Sequence, residues 1–192
     1  MNQQLIDDII EAGRRLYLRG MVAANDGNIS ARDGEQVYIT ASGLSKGFLK
    51  PEQIIAVDLW GRVLQAQPGY VPSIETELHL GLYRRQARLG ALVHAHPPYA
   101  TAFALSGRDI NAAELVDLKL QLGQVPTVPY APPGTPELAE YTAALEDGCR
   151  AALLARHGAI ALGESVEQAL FRMEALEQAA KIIYIVDGLA RR

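Results

Sequence analysis

Ala91-Leu92-Val93-His94-Ala95-His96-Pro97-Pro98 is the stretch on which the reading of this chain turns. Residues 91–95 form a short apolar run of strand length, and Pro97 ends it. Pro97 also suits the first turn of a following helix, predicted to run to about Leu105. Alternate residues on a strand point to one face, roughly 6–7 Å apart along the chain, so His94 and His96 project together. Two imidazoles at that spacing can converge on one ion with bonds of about 2.0–2.1 Å. The chain holds four histidines, so a pair at one strand end concentrates the available ligands. His157 is the third candidate. It follows a second apolar strand, Ala151 to Ala155, precedes a third, Ala159 to Leu162, and has Gly158 to relieve crowding behind it. Three nitrogen ligands with an open fourth position is the pattern of a catalytic zinc site.

Outward from this centre, residues 3–19 read as an amphipathic helix with Leu5, Ile9, Ala12 and Leu16 on one stripe. Asn25-Asp26-Gly27-Asn28 is a turn cluster. Gln36 to Thr40 alternates like a half-buried strand and Ala41-Ser42-Gly43 breaks it. Ile54 to Leu59, Trp60-Gly61 and Arg62 to Leu64 read as a hairpin with a tight turn. Pro72-Ser73 is predicted to start a helix, with Ser73 as N-cap and Ile74, Leu78 and Leu82 as its apolar face. Val125 to Tyr130 reads as a strand, and Thr135 caps a helix to about Glu146. Ser165 caps a long final helix to about Asp187, with Glu167 and Lys181 matching the helix dipole. No repeat, low-complexity tract or linker interrupts the pattern, so residues 1–192 are read as a single domain. The irregular alternation of helices and strands predicts an α/β sandwich around a mixed or antiparallel sheet rather than a doubly wound one.

The bulk numbers agree. With 192 residues and 49% hydrophobic content, the chain can bury one substantial core. A net charge of −4 with no Lys/Arg run argues against a nucleic-acid partner. No apolar run approaches the ~20 residues that span a bilayer, and the first residues lack a signal-peptide layout, so no membrane partner and a cytoplasmic location are expected. Cys149 is the single cysteine, so no internal disulfide can form, and it reads as a partly buried structural thiol.

Glu75 and His79 lie four residues apart and share a helix face. Taken alone, Glu75 reads as a charge complementing the helix N-terminus. His79 is open to three readings, as ligand, partner of a ligand or packed residue; the last two are favoured because three ligands already suffice.

Five motifs occur in order: Asn25-Asp26-Gly27-Asn28-Ile29-Ser30, Thr40-Ala41-Ser42-Gly43, Pro72-Ser73-Ile74-Glu75-Thr76, His94-Ala95-His96-Pro97-Pro98 and Arg156-His157-Gly158. As a set they resemble the class II aldolase/adducin head-domain family over nearly the whole chain. The resemblance implies a three-layer α/β/α sandwich around a mostly antiparallel sheet, and a homotetramer with the site between subunits. It implies that His94, His96 and His157 hold zinc, or another divalent ion such as Co²⁺ or Mn²⁺. Glu75 would be the general acid/base, and a fourth ligand when no substrate is bound. Asn28, Ser42, Gly43 and Ser73 would hold the phosphate of a small sugar substrate. A Gly-rich turn after a strand and a helix N-terminus both present backbone N–H groups to an anion, which agrees with that role.

Three departures bear on the reaction. Ile74 stands where the family pattern often has a second serine. The loop around Glu114–Asp117 lacks a tyrosine that the family's aldolases often carry, and the tail that supplies another is not expected beyond Arg192. Metal and base are untouched by these changes. The expected activity is cleavage of a ketose 1-phosphate to dihydroxyacetone phosphate and an aldehyde. Decarboxylation of a 3-oxo sugar-acid phosphate is the alternative, as is another metal-dependent sugar-phosphate lyase reaction. Lys46 is the candidate cation for a substrate carboxylate, or else a solvated lysine. An epimerase of this family would carry aspartate at position 75, so Glu75 argues against that reaction. An adducin-like interaction module would need no three histidines.

Overall fold

The computed structural model describes residues 2–111 and 115–190. Glu114, where the tyrosine loop of the family begins, lies outside the described residues. Helix α1 spans Gln3–Leu18 and is capped by the Asn2 side chain, which accepts from the Leu5 N–H. Four strands follow: β1 (Asn28–Asp33), β2 (Gln36–Thr40), β3 (Ile54–Asp58) and β4 (Val63–Gln65). Then come α2 (Thr76–Arg85), β5 (Ala91–Ala95), α3 (Pro98–Ser106), α4 (Val116–Leu122) and β6 (Thr127–Val128). The chain closes with α5 (Pro136–Ala143), β7 (Ala151–Leu154), β8 (Gly158–Gly163) and α6 (Val166–Leu189).

The described strands form one sheet in the order β4-β3-β2-β1-β5-β8-β7-β6. Only β6 and β7 run parallel; the other neighbours are antiparallel. Strand alternation sorts the core into two layers. Ala91, Val93 and Ala95 of β5 pack with apolar residues of α1, α3, α4 and α6. Leu92 packs on the opposite face with α2 and α5. The molecule is thus the expected α/β/α sandwich around a mostly antiparallel sheet. Residues such as Ile9, Leu16, Leu82 and Leu92 are fully buried, and each such side chain contributes roughly 1.5–3 kcal/mol relative to exposure.

Several boundaries differ from the sequence reading. Helix α2 begins at Thr76, not at Pro72-Ser73. Pro72 bridges Ala41, and the Ser42 N–H donates to the Val71 carbonyl at 2.9 Å, so 71–72 stay extended beside the end of β2. Only beyond that bridge can helical turns form. Ser73 therefore caps a turn, its Oγ accepting from the Glu75 N–H at 3.3 Å, and Ile74 is 69% exposed instead of joining Leu78 and Leu82 in the core. Strand β6 is two residues long because Pro126 and Pro129 flank it without N–H donors. Helix α5 stops at Ala143, short of Glu146. Strand β1 and helix α4 were not legible as elements from the sequence.

Candidate metal centre

Strand β5 sits between β1 and β8, with Asn28 opposite His94 and Ala95 opposite Ala159. His94 is the fourth residue of β5 and its side chain is buried. His96 follows the strand end, its N–H donating to the Met21 carbonyl at 3.0 Å. His157 stands in the turn between β7 and β8, after Arg156 at φ 60°. The glycine at 158 serves His96 rather than His157. A Cβ there would lie 2.5 Å from His96 Cδ2 and 2.7 Å from the Ala95 carbonyl oxygen, so any side chain would drive the ring out of place.

One ligand atom from each of His94, His96 and His157 lies within 4.8 Å of the other two, and the rings stand 4.7, 5.0 and 5.0 Å apart pairwise. The inner nitrogens are left free to coordinate. His94 Nδ1–H donates to the Ala159 carbonyl at 2.9 Å, which leaves a lone pair on Nε2. His96 Nδ1 faces Asp26 Oδ2 at 3.5 Å, so its Nε2 is the inward atom too. These two Nε2 atoms are 3.3 Å apart. That is the separation expected of two nitrogens about 2.0–2.1 Å from one ion at a tetrahedral angle. Burial lowers the pKa of all three imidazoles, His157 to about 4 with His94 adding to the effect. Neutral imidazole is the form that binds metal.

Glu75 completes the centre. It is the N-cap of α2, yet its side chain makes no capping hydrogen bond. Its Oε2 lies 3.2 Å from His94 Nε2 and its Oε1 3.7 Å from His157 Nε2. Burial opposes its ionisation, and the Asn28 amide donating to Oε2 favours the carboxylate form. Two buried atoms here lack hydrogen-bond partners, Glu75 Oε1 and His157 Nδ1. Facing lone pairs, neutral rings and a buried carboxylate form a donor set that fits one divalent cation.

A family model described as the Class II Aldolase and Adducin N-terminal domain matches residues 7–184. The chain belongs to this class II aldolase family. An L-fuculose phosphate aldolase from Methanococcus maripaludis is 34% identical over 185 residues, covering 96% of this chain and 98% of that protein. A methylthioribulose-1-phosphate dehydratase from Methylococcus capsulatus is 38% identical over 205 residues, 96% of this chain and 95% of that one. A 3-oxo-tetronate 4-phosphate decarboxylase from Escherichia coli is 34% identical over 192 residues, 97% and 89% of the two. The solved structure of an L-fuculose 1-phosphate aldolase matches at 28% identity with a TM-score of 0.90, covering 98% of this chain and 89% of that one.

The remaining sequence candidates of this family member fall into place unevenly. Asn28 lies against Glu75, its Nδ2 donating to Oε2 at 2.8 Å, which leaves one amide hydrogen for any other partner. Ser42, Gly43 and Ser73 are drawn together by the Ala41–Pro72 bridge, although the Ser42 N–H is spent on Val71. His79 is no ligand. It is fully buried and bonds Asn28 and Ser30. Lys46 is neither solvated nor open to a substrate. It is 2% exposed, its ammonium donates to the carbonyls of Asn25 and Leu44, and burial lowers its pKa to about 8. Cys149 is a half-buried free thiol pushed up by burial, donating to the Ala151 carbonyl. Asp26, Ser30 and Tyr83 were missed as site-supporting residues. Asp26 hid in a turn cluster, and Ser30 in a segment that did not read as a strand. No described helix is long and apolar enough to cross a membrane.

Proposed function

We propose that this class II aldolase cleaves a ketose 1-phosphate to dihydroxyacetone phosphate and an aldehyde. His94, His96 and His157 would hold one divalent ion, zinc first, with Co²⁺ or Mn²⁺ as substitutes. Once bound there, the ion supplies Lewis acidity toward the carbonyl and hydroxyl oxygens of the substrate. Glu75 takes the proton from the reacting hydroxyl or carbon and returns it. The observation that carries this reading is a buried carboxylate with an unpaired oxygen beside three neutral, converging imidazoles. The experiment that tests it is product analysis after incubating the zinc-loaded protein with a panel of ketose 1-phosphates and 3-oxo sugar-acid phosphates. Aldehyde with dihydroxyacetone phosphate is expected, and carbon dioxide alone would overturn the assignment.

Decarboxylation is the second reading, favoured by the 34% identity to the decarboxylase named above. It is weakened by Lys46, whose buried ammonium cannot greet a substrate carboxylate. Dehydration enters through the 38% identity to the dehydratase. An adducin-like interaction module would have no use for the ligand set.

Asn28, Ser42, Gly43 and Ser73 are assigned to the substrate phosphate. Hydrogen bonds to charged groups are worth about 1.5–3 kcal/mol. Ser73→Ala is therefore expected to raise KM for a phosphorylated substrate roughly ten- to a hundredfold. Ile74→Ser should lower it by adding a hydroxyl donor at a position that is 69% exposed. Inorganic phosphate should compete. Free ketoses turning over as well as their phosphates, with no competition by phosphate, would show that the substrate is unphosphorylated.

Residues 1–192 are assigned to one domain that works in the cytoplasm as a homotetramer. Tyr17 and Leu18 at the end of α1, and Val116 and Leu120 in α4 before Val125, are exposed apolar residues of the kind a subunit interface covers. Light scattering should give four chains per particle. A stable, active monomer would contradict both the assembly and a site shared between subunits.

A further inference from the structure

Behind Glu75 lies a buried polar series in which Ser30, His79 and Tyr83 have no part in holding the metal or the substrate, and Asn28, assigned above to the substrate phosphate, is the link to the carboxylate. Asn28 Nδ2 donates to Glu75 Oε2 at 2.8 Å. Asn28 Oδ1 meets His79 Nε2 at 2.5 Å, His79 Nδ1 meets Ser30 Oγ at 2.7 Å, and Ser30 Oγ meets the Tyr83 hydroxyl at 2.8 Å. All five residues are buried: Ser30 and His79 fully, the others within a few per cent.

Only one placement of hydrogens satisfies the series. A carboxylate accepts and does not donate, so Asn28 must turn its NH₂ to Glu75; the flipped amide would set two acceptors against each other. Its carbonyl then accepts, so His79 carries its hydrogen on Nε2. A neutral ring has one N–H, hence Nδ1 accepts from the Ser30 hydroxyl. With that hydrogen used, Ser30 must accept from Tyr83, whose phenol stays protonated because burial pushes its pKa up. Reversing any link leaves a buried group unpaired, at a cost of about 1–3 kcal/mol.

We propose that Tyr83, Ser30, His79 and Asn28 form one directed series of positioning residues that pins Oε2 of Glu75 and leaves Oε1 as the oxygen that moves the proton. Oε1 is the carboxylate atom without a hydrogen-bond partner, and it faces the His157 side of the centre. The role given to Oε1 rests on the reading of Glu75 as the acid/base. The pinning of Oε2 rests on the hydrogen bonds alone.

Two measurements decide it. In zinc-loaded protein labelled with ¹⁵N-histidine, the His79 ring should carry its hydrogen on Nε2 at pH 7; a hydrogen on Nδ1 would overturn the series. For function, the probe is exchange of a carbon-bound proton of dihydroxyacetone phosphate with D₂O. His79→Leu should lower the kcat of exchange at least tenfold, with KM within twofold and zinc content unchanged. His79→Gln, whose amide can donate to Asn28, should restore the rate to within threefold of the parent. A leucine variant exchanging at the parent rate would overturn the positioning role. A parent protein that exchanges nothing would count against the proposed reaction, and the ring hydrogen of His79 would still decide the series by itself.

Discussion

His96→Ala is expected to lose its metal on dialysis while keeping its fold. Two nitrogens would remain of a set in which His94 and His96 present Nε2 atoms 3.3 Å apart. Losing an outer partner of a metal ligand typically weakens binding about 10–100-fold, and loss of a ligand itself should exceed that. Position 96 is the informative one. Its side chain is 27% exposed and lies beyond the strand, so alanine leaves the core almost intact. At His94 the same change would open a cavity in the middle of the sheet and confuse folding with coordination. Metal analysis with circular dichroism reads both outcomes, and full occupancy in the alanine variant would remove His96 from the ligand set.

Glu75→Gln should cost at least the ~10²-fold in turnover typical of lost acid–base catalysis, with zinc retained. The physical expectation is specific. Asn28 donates to Oε2, so the glutamine carbonyl should take that place. The NH₂ then falls where Oε1 stood, facing His157, and a donor replaces the base. Steady-state kinetics on the substrate found by product analysis would measure the loss. Near-normal turnover would mean that Glu75 serves only the start of α2. The missing capping hydrogen bond already speaks against that structural role.

The clustering of His94, His96 and His157 and the layering were legible because they are written locally. Residues 91–95 are apolar and end in a proline, and alternation alone sets His94 and His96. The helix caps Thr135 and Ser165 were legible for the same reason, and both accept from the backbone as expected. Strand β1 was not. Its Asn28 and Ser30 look like turn residues, yet both are buried because His79, Tyr83 and Glu75 satisfy them from a distant helix. A single sequence does not announce such partners. The same holds for α2, whose start is set by the pairing of Pro72 with Ala41 rather than by the capping power of Ser73. Lys46 was misread because a lysine that spends its ammonium on carbonyls looks, in sequence, like any solvated one.

The central place of β5 also governs the order in which the molecule can assemble. Asn28 and Glu75 are 47 residues apart, and His94 and Ala159 are 65 apart. Closing such loops costs entropy before any contact rewards it, and chains dominated by distant pairings fold slowly. No short piece of this chain holds all three histidines, so an ion meets its full site only after the β7–β8 turn that carries His157 has docked beside β5. Interactions formed that late are absent from the folding transition state, and they act on escape from the native state rather than on arrival there. Zinc should therefore be a brake on unfolding and a poor nucleus for folding: in stopped-flow traces the unfolding limb should slow with the ion present while the refolding limb stays where it was.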